Sequence, residues 1–393
     1  MFKRKLVVQI IKRMQEKRAF MQVVIGPRQT GKTTAVTQAL EAISISHYFI
    51  SADAPSSADA EWLRNEWEKA RVMQKQHSKE MILAIDEIQK VKNWSSMVKL
   101  LWDEDTRKKN QLKVILTGSS SLLIQKGLNE SLAGRFEVLF CPHWSYKECK
   151  EAFSYSLDNF LYFGGYPGAA VLKDDEERWV RYIGSSIVEP VISLDILQME
   201  EVRKPALLRS LFILGAGYSA QELSYTKILG QLSDAGNTVT LAHYLELLNN
   251  ANILCGLQKY SSNKLKVKQS SPRFMVYDTS LLVWAAGASR RRLLEEPDAR
   301  GHLVESAVGA YLLARGKEEG FSVYWWRERE KEVDFVIESG KSLTAIEVKS
   351  GKVKHVEGSM EFKKCYPKAL SLVIGSENCK LEDFLVGKIP LFK

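Results

Sequence analysis

The sequence predicts an α/β protein with several domains, and three observations lead to this fold class. Five apolar runs alternate with helical patterns between residues 20 and 140, an order typical of a parallel sheet with helices on its faces. The following segment is mainly helical, and after residue 301 come a helix, three strands, a helix and a strand. A chain of 393 residues also exceeds what one hydrophobic core usually holds.

The five apolar runs are the predicted strands of the first sheet. In chain order they are FMQVVI (20–25), HYFI (47–50), MILAID (81–86), KVILTG (113–118) and FEVLF (136–140). Buried parallel strands consist of such nearly continuous apolar stretches, because both faces of the sheet are covered.

Residues 1–18 predict a basic amphipathic helix. They carry seven basic residues and one acidic residue, Glu16. The apolar residues that recur at helical spacing are Leu6, Val7, Ile10, Ile11 and Met14. We expect this helix to pack on the domain that follows, and an interfacial membrane helix is the alternative. Without a signal-peptide pattern or an apolar run of membrane-spanning length, we expect a cytoplasmic protein with no membrane partner.

Charge and cysteine usage narrow the expected environment. The net charge of +9 and the pI of about 9.1 favour a polyanionic partner, nucleic acid before membrane. The five cysteines show no CxxC spacing. This usage fits a reducing compartment and gives no sign of a disulfide framework or a zinc cluster.

The stretch VVIGPRQTGKTT fits the phosphate-binding pattern GxxxxGK[ST], between an apolar strand and a helical pattern. Backbone N–H groups of such a loop surround the β-phosphate at the positive end of a helix dipole. We expect Lys32 to bridge the β- and γ-phosphates of ATP, and the Thr33 hydroxyl to ligate Mg²⁺. The candidate loop residues are Gly26, Pro27, Arg28, Gln29, Thr30, Gly31, Lys32, Thr33 and Thr34.

Polar residues at the ends of two later strands extend this candidate site. In MILAIDEIQK, Asp86 is expected to hold the metal, and Glu87 to orient and deprotonate the attacking water. In KVILTGSSSLL, Thr117 and Ser119 are candidates for sensing the γ-phosphate, and an ordinary strand-end turn is the alternative.

Arg135, in NESLAGRFEVLF, is a candidate arginine finger. If it acts on the nucleotide of a neighbouring subunit, hydrolysis requires a homo-oligomer. The alternative is a surface arginine that precedes a strand.

These motifs, with PHWSYKE and FGGYP, follow one another as in a large prokaryotic family of AAA+-type P-loop ATPases, and the chain resembles that family over nearly its whole length. Members carry a C-terminal domain long classed as of unknown function, with a nuclease-like fold. The resemblance implies an ATPase core, a helical lid, a winged-helix segment and this terminal domain. Their expected ranges are 1–145, 146–203, 204–288 and 289–393.

Residues 204–279 show helices followed by two short strands, an order that resembles a winged helix. TLAHYLELLNNANI would be the recognition helix, and the lysine-rich tip with Lys264, Lys266 and Lys268 the wing. Phosphate contact by these lysines is one interpretation. The other is a packing module for protein. The turn FGGYPGAA predicts a close approach of backbone elements.

Acidic residues near the C-terminus suggest a metal site. Asp334 and Glu347 lie on two predicted antiparallel strands joined by a Ser-Gly-Lys turn, and Glu305 lies on the preceding helix. Convergent carboxylates suit Mg²⁺ or Mn²⁺, and Lys349 would assist a metal-bound water. The set resembles a PD-(D/E)xK nuclease core, with Val333 where that pattern has proline. A catalytic site and an ancestral site retained as polar contacts both remain open.

Together these features favour an ATP-hydrolysing AAA+ enzyme that acts on DNA, with a Mg²⁺-dependent endonuclease-like domain. Recombination, repair and defence are all compatible with it. One alternative is a nucleotide-dependent switch whose terminal domain binds but does not cut. Another is a motor that acts on DNA junctions without cutting.

Overall fold

The computed structural model describes residues 2–53, 58–77, 80–118, 131–197, 202–232, 237–261, 271–350 and 357–392. It divides the chain into two units, Met1–Pro142 and His143–Lys393. Ser119 and the lysine-rich tip (262–270) lie outside the described residues. Within the described ranges, every helix is too short or too polar to cross a lipid bilayer.

The first unit is built on a five-stranded parallel sheet in the order β2-β3-β4-β1-β5. Its described elements are α1 (Lys5–Gln15), β1 (Met21–Ile25), α2 (Lys32–Ala42), β2 (Ser46–Ser51), α3 (Ala60–His77), β3 (Met81–Asp86), a 3-10 turn (Ile88–Lys90), α4 (Trp94–Lys108), β4 (Leu112–Gly118) and β5 (Phe136–Phe140). All five predicted strands are confirmed.

Burial explains why these runs form the sheet. Every residue of β1, β3 and β4 is buried, whereas the edge strands β2 and β5 are partly exposed. The amphipathic helix α1 packs on α2 through Leu6, Val7, Ile10 and Met14, which confirms the prediction of a packed amino-terminal helix. Burial of about four such side chains stabilises the unit by several kcal/mol.

Strand direction sets where the polar residues meet. The carboxyl ends of β1, β3 and β4 lie at one edge of the sheet, which brings together Gly26, Asp86 and Thr117. Met21, the first residue of β1, pairs with Phe136, the first residue of β5. Arg135 therefore lies at the opposite, amino edge, roughly 15 Å away along a five-residue strand.

The second unit is helical at first and ends in a mixed sheet. Its described elements are α5 (Tyr146–Phe153), α6 (Leu157–Phe163), a 3-10 helix (Pro167–Leu172), α7 (Glu176–Tyr182), two π-helical turns (Ile183–Val188 and Val191–Ile196), α8 (Pro205–Gly217), α9 (Tyr225–Gln231), α10 (Thr238–Asn250), β6 (Leu254–Leu257), β7 (Arg273–Val276), α11 (Thr279–Ala286), α12 (Arg290–Glu295), α13 (Pro297–Glu319), β8 (Ser322–Glu328), β9 (Lys331–Ser339), β10 (Ser342–Val348), α14 (Glu357–Cys365), β11 (Leu370–Ile374) and α15 (Leu381–Leu385).

Helices α8, α9 and α10 precede the antiparallel pair β6–β7, the order that the sequence predicted for this segment. Upstream, the FGGYPGAA turn is as close-packed as expected. A Cβ atom on Gly165 would lie 2.2 Å from the Trp144 carbonyl oxygen. The buried Asp278 carboxylate accepts the Gly165 N–H at 2.7 Å, so this turn is fixed to the start of α11.

The last sheet has the order β11-β10-β9-β8, with β10 and β11 parallel and the other neighbours antiparallel. Ser339 pairs with Ser342, so Gly340 and Lys341 form the predicted tight turn. One face packs on α13, where Phe335 and Val308 share a cluster. The opposite face packs on α14, where Phe362 meets Val336.

Candidate nucleotide site and C-terminal acidic cluster

The phosphate-binding loop runs between β1 and α2 at the carboxyl edge of the first sheet. A Cβ atom on Gly26 would lie 2.1 Å from the Cys141 carbonyl oxygen, so only glycine fits this position. Gly31 precedes α2 with φ of +88°, a left-handed conformation that favours glycine. The first N–H groups of α2 therefore point toward the loop, where a helix terminus attracts anions.

The Lys32 ammonium folds over the loop. It donates to the carbonyl oxygens of Gly26 at 3.1 Å and Pro27 at 2.6 Å. Thr30 also donates to the Pro27 carbonyl, at 3.0 Å. Because these acceptors are neutral, a phosphate group competes well for the lysine.

The carboxylate of Asp86, at the end of β3, contacts hydroxyl groups at the start of α2 and near the end of β4. Thr33 Oγ1 lies 3.2 and 3.1 Å from its two carboxylate oxygens, and Thr117 Oγ1 donates to Oδ1. Burial raises the pKa of Asp86, while the hydrogen bonds from Thr117 and Thr33 oppose this shift. The structure thus brings together Thr33, Asp86 and Thr117, which are far apart in the sequence.

Glu87 follows β3 in a left-handed conformation, with φ of 54°. Its N–H donates to Thr117 Oγ1 at 3.4 Å, and Gln89 Nε2 donates to its carboxylate. Left-handed backbone is uncommon for glutamate and is often found where a side chain is held for function. Sequence reasoning did not select Gln89.

A second residue that sequence reasoning missed is Arg4, which supports the loop from behind. Its buried guanidinium donates to the carbonyl oxygens of Thr30 and Pro142, both at 3.0 Å, and to Cys141 Sγ at 3.1 Å. The amino-terminal basic run contains Arg4, but nothing in that run distinguishes it from its exposed neighbours.

The donor set at this edge fits a nucleotide with Mg²⁺. A threonine hydroxyl and a carboxylate are hard oxygen ligands of the type that Mg²⁺ prefers. Thr33 and Asp86 are already in contact, Thr117 adds a second hydroxyl, and the charges of Glu87 and Lys32 also act on Asp86. These two residues would hold the ion, as the sequence predicts.

Arg135 forms a two-pronged ion pair with Asp103 of α4, with Nε and Nη2 at 2.8 and 2.9 Å from the carboxylate oxygens. At the amino edge it is remote from the phosphate loop of its own chain. A role toward the nucleotide is therefore compatible with a neighbouring chain and not with its own.

In the second unit, the acidic residues surround an arginine that the sequence did not single out. Arg273 Nη1 donates to Glu332 Oε1 at 2.7 Å, Nη2 donates to Glu305 Oε1, and Nη2 lies 3.8 Å from Asp334 Oδ1. We name Glu305, Glu332 and Asp334 the acidic cluster. Arg273 is itself 5% exposed and also donates to the Ala220 carbonyl.

Glu347 and Lys349 flank Val348 beside the acidic cluster, and Lys349 is among the charges that act on Glu305 and Asp334. The Glu347 carboxylate is buried and accepts the Ser359 N–H of α14 at 2.6 Å. Lys349 Nζ lies 3.5 Å from its other oxygen. Asp334 Oδ2 instead accepts the Val348 N–H at 2.7 Å.

Burial and nearby positive charge have opposite effects on the pKa values of Glu305 and Asp334. Burial, and after it the charge of Asp334, raise the pKa of Glu305, while Arg273 acts in the opposite direction. Burial also raises the pKa of Asp334, against the effect of Arg273. Lys349 also lowers both pKa values, but burial outweighs the two cations and leaves the pKa of Glu305 at about 8.

The expected metal set of Glu305, Asp334 and Glu347 is thus not assembled. Two of its members face a guanidinium, and the third is bound to a helix N–H. The described residues include no group of three or more His, Cys, Asp or Glu side chains placed to hold a metal. The Mg²⁺ or Mn²⁺ expected here does not fit this arrangement, because a fixed cation already lies between the carboxylates.

The basic run Arg290–Arg292 is also engaged within the chain. Arg291 pairs with Glu295 and Arg292 with Glu296, one helical turn away, and Arg290 donates to Asn159. These contacts fit a solvated helix face.

Three parts of the chain match models of protein families. Residues 18–150 match a family model described as an AAA domain. Residues 154–292 and 300–392 match models described as domains of unknown function, DUF8612 and DUF4143.

Two relatives from Methanocaldococcus jannaschii carry no assigned activity in their names. The uncharacterized protein MJ1544 is 25% identical over 274 residues, which cover 65% of this chain and 58% of the relative. The uncharacterized protein MJ1637 is 24% identical over 338 residues, or 77% and 68% of the two chains. The match therefore spans less than two thirds of the length of MJ1544.

Among solved structures, the Walker-type ATPase PABY2304 of Pyrococcus abyssi is 16% identical, with a TM-score of 0.49 and coverage of 72% of this chain and 96% of that chain. The Thermotoga maritima RuvB Holliday junction branch migration motor is 15% identical, with a TM-score of 0.33 and coverage of 64% and 88%. The Aeropyrum pernix ORC1 protein in complex with DNA is 11% identical, with a TM-score of 0.32 and coverage of 75% and 93%. Scores below 0.5 carry no functional argument.

The class follows from the family match and the geometry together. The match over residues 18–150 supports an AAA+-type P-loop ATPase domain, and the loop before α2 with the carboxyl ends of β3 and β4 is its candidate nucleotide site.

Proposed function

We propose that this protein is an ATP-hydrolysing switch whose C-terminal domain binds a partner and does not cut nucleic acid. The contact of Thr33, Asp86 and Thr117 beside Lys32 carries the hydrolase proposal. The position of Arg273 among the carboxylates is the reason to prefer binding over cutting. Of the interpretations that the sequence left open, the switch and the non-cutting motor need no metal where Arg273 lies, whereas the endonuclease does.

The residues of the first unit have separate tasks in hydrolysis. The loop N–H groups and Lys32 bind the phosphates, and Thr33 with Asp86 would hold Mg²⁺, which would neutralise phosphate charge. Glu87 takes a proton from the attacking water, and Gln89 orients the Glu87 carboxylate. Thr117 links Asp86 to the Glu87 backbone and responds to changes at either residue.

Steady-state ATP hydrolysis tests this proposal. In Glu87→Gln, turnover should fall by about 10²–10⁴-fold with ATP binding retained, because general-base catalysis is lost. Lys32→Ala should lose binding and turnover together. The matched control is Glu41→Gln, which changes an exposed residue of α2 and should hydrolyse ATP like the wild type. Equal turnover in Glu87→Gln and Glu41→Gln would contradict the proposal.

DNA is the partner that we propose for this switch, because a net charge of +9 favours a polyanion. ATP turnover should rise on addition of single-stranded, double-stranded or four-way DNA, and less so at high salt. No cleavage products should form with Mg²⁺. Products that form with the wild type but not with Glu347→Ala/Lys349→Ala would show that the domain cuts.

A homo-oligomer is the third part of the proposal. Arg135 lies at the amino edge of the sheet, away from its own phosphate loop, so we propose that it reaches the nucleotide of a neighbouring chain. The Asp103 ion pair would then hold Arg135 until the chains meet. An arginine supplied in this way stabilises charge on the transferring phosphoryl group.

A further inference from the structure

Arg273 is held on all sides by acceptors from three parts of the second unit. It is the first residue of β7, whereas Glu305 lies on α13 and Glu332 and Asp334 lie on β9. Its Nη1 and Nη2 groups face the acidic cluster, while Nε and Nη2 donate to the Ala220 carbonyl at 3.0 and 2.9 Å. These bonds fix the plane of the guanidinium as well as its position.

A second arginine reinforces this arrangement from the outside. Arg327 of β8 donates to Glu332 and to Glu222, and Glu222 forms an isolated β-bridge with Arg273. Glu332 is thus shared by two guanidinium groups. The carboxylate oxygens are spread around planar cations and do not converge on one point.

A guanidinium and a divalent metal exclude each other at such a site. Both require the same carboxylate oxygens, and two cations a few ångströms apart in a buried position repel strongly. Arginine keeps its charge at any physiological pH, so protonation change does not release it. The arginine leaves only if β7 moves or if the residue is replaced.

We propose that Arg273 is a built-in cation that plugs the acidic cluster, so that divalent metal binds to Glu305 and Asp334 only when this guanidinium is withdrawn. The plug also ties β7 to the last sheet. This inference deepens the part of the proposed function in which the C-terminal domain binds without cutting, and it is independent of ATP hydrolysis in the first unit. The C-terminal domain is then a metal-free binding module while β7 is in place.

Mn²⁺ binding to the full-length chain without nucleotide tests the plug. For each background, bound Mn²⁺ is counted by electron paramagnetic resonance with and without the additional substitution Asp334→Asn. The readout is the number of bound ions that this substitution removes. This difference removes any ion bound at the nucleotide site. The backgrounds are the wild type, Arg273→Met, Arg273→Gln and the control Arg292→Met, which changes an exposed arginine paired with Glu296.

The expected result is no Asp334-dependent Mn²⁺ in the wild type or in Arg292→Met, and about one ion per chain in the two Arg273 variants. Asp334-dependent Mn²⁺ in the wild type would overturn the proposal. So would folded Arg273 variants that bind none. If the variants are too unstable for counting, Mn²⁺ should raise their unfolding temperatures by more than it raises those of the same variants carrying Asp334→Asn. No such additional rise in either variant would equally overturn it, whatever the ATP turnover.

Discussion

The candidate nucleotide site and the C-terminal acidic cluster both contain buried carboxylates, but the groups that contact these carboxylates differ. Asp86 receives hydrogen bonds from the neutral hydroxyls of Thr33 and Thr117. Glu305 and Asp334 instead face the charged Arg273, which belongs to the chain. Hydroxyl groups can turn toward a cation that arrives, whereas a fixed guanidinium occupies the place of that cation.

Under the two proposals, Asp86 belongs to a site for an exchangeable ion, whereas Arg273 is a permanent cation in the acidic cluster. Carboxylates alone do not define a metal site, because the groups around them decide which cation fits. The same acidic residues that resemble a nuclease core in the sequence thus serve in an internal ion network. Experiments on both regions can sharpen or break this contrast.

The largest effect is expected at the first site, from mixing two inactive variants. Arg135→Ala should lower turnover by about 10³-fold, and Glu87→Gln should be similarly inactive. Co-expressed in equal amounts, they should regain about a quarter of wild-type turnover, since some sites then combine an intact Glu87 with a neighbour's intact Arg135. Steady-state ATPase rates measure this. A mixture as inactive as its components would exclude action between chains.

At the second site, Arg273→Ala should lower the free energy of unfolding by about 3–5 kcal/mol, because three carboxylates lose their buried partner. Urea denaturation followed by tryptophan fluorescence measures the change. The control Arg209→Ala breaks a half-exposed pair with Glu189 and should cost less than about 1 kcal/mol. Similar losses for both variants would mean that Arg273 is not a structural ion.

The buried carboxylate of Asp278 should make the stability of the protein depend on pH. Burial raises the pKa of Asp278 to about 6, although backbone and serine donors oppose this. The folded state therefore retains a proton that the unfolded state releases near pH 4. Stability should fall by about 3 kcal/mol as pH rises from 4 to 6. Asp278→Asn, which mimics the protonated acid, should lack this part of the slope in urea denaturation at each pH; an unchanged slope would assign it to other groups.

The smallest effect is expected at Asp103. Its pair with Arg135 is roughly one-third exposed on both sides, so Asp103→Ala should change the free energy of unfolding by less than about 1 kcal/mol. ATP turnover should remain near that of the wild type, in contrast to Arg135→Ala. Equal loss of turnover in the two variants would indicate that Arg135 acts through Asp103 within its own chain.

Sequence patterns were reliable wherever the relevant neighbours are close along the chain. The strands of the first sheet, the packed helix α1 and the tight turn at Gly340 follow from periodicity and turn residues. The phosphate loop and Asp86 follow from short motifs placed at strand ends. Each of these signals lies within about ten residues, so no knowledge of the tertiary fold is needed.

Partners far apart in the chain were not predictable in this way. Arg4 meets Cys141, which is 137 positions away, and Arg273 meets Glu332, which is 59 positions away. Neither arginine has a local pattern that distinguishes it from exposed arginines. Glu347 and Lys349 have the expected spacing, but which group binds the Glu347 carboxylate depends on the packing of α14.

By itself, the amino-acid sequence determined the α/β class and the parallel sheet, and it predicted the residues of the candidate nucleotide loop. The tertiary structure alone decided that Arg135 lies at the edge opposite the loop, and that Arg273 takes the position expected for a metal. The physical reason is the separation along the chain between the residues that interact. Secondary structure and loop motifs depend on neighbouring residues, whereas the charge of a buried site depends on whichever side chain folding brings to it.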